Sequence, residues 1–123
     1  MTHVVAVVDD DPRVLESLEN LLESAGYRVR LFPSPGALLV ACDLAHTDCL
    51  ISDIRMPIMD GLALAQVVHQ LFPELPVILI TARDLPSETI ANRPGIHGCF
   101  HKPFDAQQLL ASVASAIMKR LPP

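Results

Sequence analysis

Tryptophan is absent from this 123-residue chain, and its aromatic side chains amount to one tyrosine and four phenylalanines. Stacking platforms for nucleic-acid bases need more than that. Lysine is scarce as well, with Lys102 and Lys119 the only two. The 14 acidic residues outnumber the 9 basic ones, for a net charge of -5. That balance speaks against a broad cationic surface for nucleic acid and against a membrane-surface binder. Cys42, Cys49 and Cys99 are odd in number and form no C-x-x-C pair. Neither a disulfide framework nor a zinc site is expected, and each cysteine reads as a small buried hydrophobe. No apolar run reaches membrane-spanning length, and the opening MTHVVAVVDDD lacks a basic signal-type segment. The default expectation is a cytoplasmic protein.

Hydrophobic residues are plentiful at 50%, which excludes a disordered acidic tail. The length fits one domain with a single core. Short apolar runs alternate with helical patterns along the chain. Val4 to Val8 is β-branched and apolar on both faces, as a buried parallel strand should be. Asp11-Pro12 opens a helix carrying Val14, Leu15, Leu18, Leu21, Leu22 and Ala25, and Gly26 closes it. A second strand is expected over Tyr27 to Phe32, then a helix from Ser34-Pro35 with Leu38, Leu39, Ala41 and Cys42. Cys49 to Ser52 forms a third strand ending at Asp53. Asp60-Gly61 opens a third helix with Leu62, Ala65, Val68 and Leu71 facing inward. Val77 to Ile80 is the clearest strand. Residues 83 to 97 are the weakest region, with a short helix near Ser87 to Asn92. Phe100 lies in a fifth strand, and Asp105 caps a last helix carrying Leu109, Leu110, Val113, Ala116 and Ile117.

Five βα units imply an α/β fold with a parallel sheet covered by helices on both faces. In such sheets ligands sit beyond the carboxyl ends of the strands. The reactive side chains cluster there. Asp9, Asp10 and Asp11 follow the first strand, Asp53 the third, Thr81 the fourth and Lys102 the fifth. Any one of them has an ordinary explanation: Asp11, Asp60 and Asp105 serve as helix caps, and a lone lysine is usually solvated. Together they do not, because converging carboxylates repel and raise each other's pKa. A divalent cation relieves that conflict, and oxygen ligands alone point to Mg²⁺ rather than zinc. A metal beside a lysine and a hydroxyl suits phosphoryl transfer onto a carboxylate. Asp53, alone at a central strand end, is the best candidate nucleophile. Asp9 and Asp10 are paired, as ligands tend to be.

Four segments carry a family likeness: Val7-Val8-Asp9-Asp10-Asp11-Pro12, Leu50-Ile51-Ser52-Asp53-Ile54-Arg55-Met56-Pro57-Ile58-Met59-Asp60-Gly61, Ile78-Leu79-Ile80-Thr81-Ala82 and Lys102-Pro103-Phe104. In this order the chain resembles the receiver domain of bacterial two-component response regulators, and its third-strand loop is most similar to that of nitrogen-fixation-type regulators. The resemblance implies a flavodoxin-like (βα)5 doubly wound fold with strand order 2-1-3-4-5. It implies that Asp53 is the phosphoacceptor, and that Asp9, Asp10, Asp53 and the backbone carbonyl of Arg55 hold Mg²⁺ or Mn²⁺, with Asp10 a direct ligand. Thr81 corresponds to the switch hydroxyl and Lys102 to the phosphate-binding lysine, whose bond to Pro103 is often cis in the family. Arg55 and Arg83 stand where the family tunes phosphate lifetime. A histidine kinase or histidine phosphotransfer protein is the implied partner. Homodimers through the helix 4–strand 5–helix 5 face, or through helices 1 and 5, are implied alternatives.

Two departures stand out. The position three before the lysine, usually the aromatic switch, is Cys99, with Phe100 next to it. Neighbours on a strand face opposite ways, so Phe100 is expected to pack inward while Cys99 fills a small outward gap, which points to weakened or altered switching. The fourth helix is also short. His3, His46, His69, His97 and His101 show no metal spacing. Besides a phospho-accepting signalling domain, the residues leave open a receiver fold used as a constitutive or atypically switched interaction module. An aspartate-nucleophile phosphatase of the haloacid-dehalogenase kind would place its nucleophile after strand one, and a flavin carrier would need a Ser/Thr/Gly-rich phosphate loop there. Both fit less well. The expected receiver spans 1–121, with 122–123 either the start of a linker or the end of the chain. On this reading the domain itself contacts no nucleic acid and no membrane. It is not a conventional enzyme, and catalyses only its own phosphorylation and dephosphorylation.

Overall fold

The apolar runs become five parallel strands in a computed structural model that describes residues 2–41, 44–82 and 87–120. The element order is β1 (Val4–Val8), α1 (Pro12–Ser24), β2 (Arg28–Phe32), α2 (Pro35–Ala41), a 3-10 turn (Leu44–His46), β3 (Cys49–Asp53), α3 (Gly61–Leu71), β4 (Val77–Thr81), α4 (Ser87–Ala91), β5 (Ile96–His101) and α5 (Ala106–Arg120). The strands lie in the order β2-β1-β3-β4-β5, the expected doubly wound arrangement. β1, β3 and β4 are central and buried on both faces, so their side chains divide by parity between two cores. Ala6, Val8, Leu50 and Leu79 pack with Leu38 of α2, Leu64, Ala65 and Val68 of α3, and Ile90 of α4. Val5, Val7, Ile51, Ile78 and Ile80 pack with Leu15, Leu18 and Leu22 of α1 and with Leu109, Val113, Ala116 and Ile117 of α5.

Local chemistry sets the helix starts. Asp11 accepts a hydrogen bond from the Arg13 N–H at 2.9 Å, Asp60 from Ala63 at 2.8 Å and Asp105 from Gln108 at 3.0 Å. Each satisfies an N–H that the helix leaves unpaired. Gly26, at φ +93°, ends α1 in a conformation that costs other residues more.

The structure corrects several local expectations. β2 begins at Arg28 rather than Tyr27, because the Tyr27 N–H donates to the Leu22 carbonyl at 3.1 Å and so belongs to the close of α1. Leu71 is 61% exposed instead of facing inward. The helix ends there, and Phe72 turns back to pack on the core in its place. A 3-10 turn stands before β3 where the sequence pattern marks no element; Leu44 is buried in it and Thr47 just after it. Cys42 lies outside the described residues. β5 is six residues long, with an irregularity in its pairing where Val77 faces Ile96 but Ile78 faces Gly98. The strand is half-buried along its length, and Cys99 meets a core instead of filling an outward gap. Cys99 packs against the α3/α4 core, and Phe100 against the α1/α5 core.

Candidate functional site

Parallel strands end on one side, so the last residues of β1, β3, β4 and β5 share a rim. Asp9 follows β1 with only 2% of its surface exposed, Asp53 ends β3 nearly as deeply, and Thr81 ends β4 fully buried. Asp10 is exposed. Carboxylate oxygens of Asp9, Asp10 and Asp53 all lie within 4.8 Å of one another. Lys102, just beyond β5, reaches into this group. Its Nζ lies 3.3 Å from Asp9 Oδ2 and 3.7 Å from Asp53 Oδ2. Its backbone N–H donates to the Thr81 carbonyl at 2.8 Å, which ties the lysine to the end of β4. The Lys102-Pro103 peptide is cis, as the resemblance implied.

The electrostatics follow from burial. Loss of water pushes the Asp9 carboxyl up, and the Asp11 N–H, 2.9 Å from Asp9 Oδ1, and the Lys102 ammonium pull it partly back. Burial also raises the Asp53 carboxyl, and the neighbouring Asp9 charge raises it further. Lys102 and the N–H groups of Arg55 and Ile54 work in the opposite direction. Two buried carboxylates therefore share one ammonium. One positive charge is left to serve two negative ones, and that deficit, on an all-oxygen donor set, fits a divalent cation.

The other sequence-predicted residues divide. Arg55 has an exposed side chain, and its N–H is bonded to the Asp53 carboxylate. Arg83 lies outside the described residues. Cys99 is half-buried on the α3/α4 side, and burial pushes its thiol up, away from the thiolate that redox chemistry requires.

Two residues of the site escaped the sequence reading. Ser52 is buried, and its Oγ donates to the Asp53 carbonyl at 2.9 Å. Gly61 starts α3 directly against that carbonyl, where a Cβ would stand 2.2 Å from the oxygen. Asp60-Gly61 carried a signal, but one that read only as a helix start. Ser52 carried none, because a serine inside an apolar strand does not reveal its hydrogen-bond partner.

Comparison with known proteins agrees with the fold. The family model described as the response regulator receiver domain matches residues 5–114. The DNA-binding transcriptional regulator NtrC of Escherichia coli (strain K12) is 42% identical over 115 residues, which cover 93% of this chain and 24% of that protein. The response regulator protein TmoT of Ectopseudomonas mendocina is 37% identical over 115 residues, covering 93% of this chain and 52% of its own length. The chain thus spans between about a quarter and a half of these relatives. Among solved structures, a response regulator receiver domain protein from Clostridium thermocellum superposes with a TM-score of 0.85 at 26% identity, covering 96% of each chain. Among the described residues, no helix is long and apolar enough to cross a membrane.

Proposed function

Because the chain belongs to the response regulator receiver domain family, we propose that it accepts a phosphoryl group from a histidine kinase, or from a histidine phosphotransfer protein, onto Asp53. The observation that carries this reading is the convergence of Asp9, Asp53 and Lys102 from three separate strand ends. Asp9, Asp10, Asp53 and the Arg55 carbonyl would hold Mg²⁺ or Mn²⁺. When bound, the cation neutralises charge on the transferring phosphoryl oxygens. Asp53, on this reading, supplies the attacking carboxylate oxygen. The phosphorus–nitrogen bond of the donor breaks, and the donor imidazole leaves with the electron pair. Water later cleaves the aspartyl phosphate and returns Asp53 to its carboxylate. The same domain thus catalyses its own phosphorylation and dephosphorylation.

Lys102 has one ammonium for two carboxylates. Once Asp53 carries the phosphoryl group, Lys102 can turn to a phosphoryl oxygen, and the Thr81 hydroxyl can take another. Lys102 and Thr81 are joined through the backbone, so a move by one is felt at the ends of both β4 and β5. That supports switching at the α4–β5 face. The packing of Cys99 under α4 in place of an aromatic supports an atypical course for it, and hence the second reading of an interaction module switched in another way. Arg55 and Arg83 remain the proposed modulators of phosphate lifetime. The receiver unit is proposed to span 1–121, with any DNA contact belonging to a further domain. Dimers through the α4–β5–α5 face, or through α1 and α5, are the proposed assemblies.

Incubation with acetyl phosphate and Mg²⁺, followed by intact-mass measurement, tests the reading. The expected result is one added phosphoryl group, not formed when EDTA replaces Mg²⁺ and absent in Asp53→Ala. Unmodified wild-type protein, or equal labelling of Asp53→Ala, would contradict it.

A further inference from the structure

One stripe of α3 is faced by a connection rather than by a helix. Leu62, Ala65, Gln66, His69 and Gln70 recur at helical spacing, so they share a side of α3. α4 is only five residues long, and the chain runs on through Arg93 and Pro94 into Ile96 of β5. A cavity of about 250 Å³ lies between the α3 stripe and this connection. Its far wall is built by backbone bonds. The Arg93 N–H donates to the Ile90 carbonyl, the Ile96 N–H to the Arg93 carbonyl and the Val77 N–H to the Gly95 carbonyl, each at 3.1 Å. Gly95, at φ +83°, lies so close to the His69 imidazole that a Cβ there would stand 2.7 Å from Nδ1. The cavity is therefore pre-formed, and little ordering opposes the entry of a ligand.

The lining is one-sided in its chemistry. Leu62, Ala65 and Ile96 give an apolar floor, and the polar groups around it are rich in donors. Arg93 is exposed, and among the described residues no carboxylate pairs with it. Nδ1 of His69 is buried without a hydrogen-bond partner. A proton there would be a buried donor with no acceptor, so Nε2 carries the ring's N–H and His69 serves the cavity as a donor. Gln66 and Gln70 add amide N–H groups. No acid stands among the described lining residues, although the chain has 14 acids and a net charge of -5. A guanidinium without a counter-charge, set beside further donors and an apolar floor, matches one carboxylate on an apolar body. A phosphate dianion would bring a second charge with no second arginine or lysine to meet it. The volume falls below the roughly 300–1,000 Å³ of drug-sized sites, which limits the body to one ring or a short chain.

We propose that the cavity between α3 and the α4–β5 connection binds a small organic monocarboxylate, with the carboxylate on Arg93 and the apolar body on Leu62, Ala65 and Ile96. The site lies apart from the acidic rim and does not depend on the phosphoacceptor reading. A ligand seated there ties α3 to the segment that leads into β5.

The test titrates the isotope-labelled chain with cinnamate, cinnamamide and acetate, followed by amide chemical shifts. Cinnamate should bind with a Kd of about 1 mM or below and move the amides of Gln66, His69, Gln70, Arg93 and Ile96. Cinnamamide keeps the body without the charge and should bind at least about fivefold more weakly; acetate keeps the charge without the body and should give no saturable shift. Arg93→Gln should weaken cinnamate about tenfold. Arg28→Gln makes the same charge change at an exposed position on β2 and should bind like wild type. At ten times its Kd cinnamate should raise the wild-type Tm by about 5 °C, and that of Arg93→Gln by less than about 2 °C at the same concentration. The unliganded Tm of each variant shows that it is folded. Absence of saturable cinnamate binding below about 10 mM would overturn the proposal, as would shifts centred elsewhere, equal binding of cinnamamide or equal binding by Arg93→Gln.

Discussion

Gly61→Ala tests the site where fold and chemistry meet. The added Cβ would stand 2.2 Å from the Asp53 carbonyl oxygen, 2.9 Å from Ile54 Cα and 3.0 Å from the Asp53 carbonyl carbon. All three are backbone atoms, so no side chain can rotate aside. Carbon contacts are comfortable at about 3.5 Å, which leaves the new methyl more than an ångström short of room. Either the start of α3 or the end of β3 must move, and the 2.8 Å bond from Gly61 N–H to the Ile54 carbonyl is stretched in either case. Overpacking costs about 1–3 kcal/mol and the weakened bond about 1, against a gain of about 1 from alanine's helix propensity. The net is a loss of about 2 kcal/mol, or roughly 8 °C in Tm for a domain of this size. Thermal and urea unfolding measure it. Gly36→Ala is the control: its Cβ would find only Ser34 Oγ at 3.9 Å, so that variant should be as stable as wild type or slightly more so. Because the movement displaces Asp53, acetyl phosphate labelling of Gly61→Ala should slow as well. A variant with unchanged Tm and unchanged labelling would refute the reasoning.

Lys102→Met leaves Asp9 and Asp53 buried without a cation. After allowance for the partial exposure of the lysine, it should lose about 1–2 kcal/mol at neutral pH and label poorly; urea unfolding and intact mass read both. Asp53→Asn should melt higher than wild type in metal-free buffer. The Asp9 and Asp53 carboxyls are raised, so the folded state keeps their protons to higher pH than the unfolded chain, and their charges cost stability above the folded pKa. That cost fades as pH falls through the window down to the unfolded value near ~3.9, so the gap between the two proteins should close in a pH series. Gly95→Ala places a Cβ 2.7 Å from His69 Nδ1 at φ +83°, and should lose about 2 kcal/mol with little effect on labelling. Ile58→Gly relieves a positive φ of +73°, and calorimetry should find it no less stable than wild type, by about 0–1 kcal/mol.

The sheet was legible in the sequence because its central strands are buried on both faces. Val4 to Val8 and Val77 to Ile80 have no polar residue to confuse the pattern, and the caps Asp11, Asp60 and Asp105 marked where helices start. Legibility failed where tertiary contacts override local pattern. Tyr27 looks like strand, but its N–H closes α1. Leu71 continues the helical stripe, but the helix stops and Phe72 takes the core position. The carboxylates, threonine and lysine of the rim could be placed at strand ends from spacing alone. Their mutual distances could not, nor could the sharing of one ammonium between two buried acids. The places of Ser52, Gly61 and Ile58 depend on where the backbone runs around Asp53, which single-residue patterns do not encode.

The central claim is that Asp53, rather than any neighbouring acid, takes the phosphoryl group. Peptide mapping after exposure to acetyl phosphate and Mg²⁺, with the aspartyl phosphate trapped by borohydride reduction, locates it directly. The account predicts modification on Asp53 alone. Modification on Asp9, Asp10 or Asp11, or none on a folded protein, would contradict it.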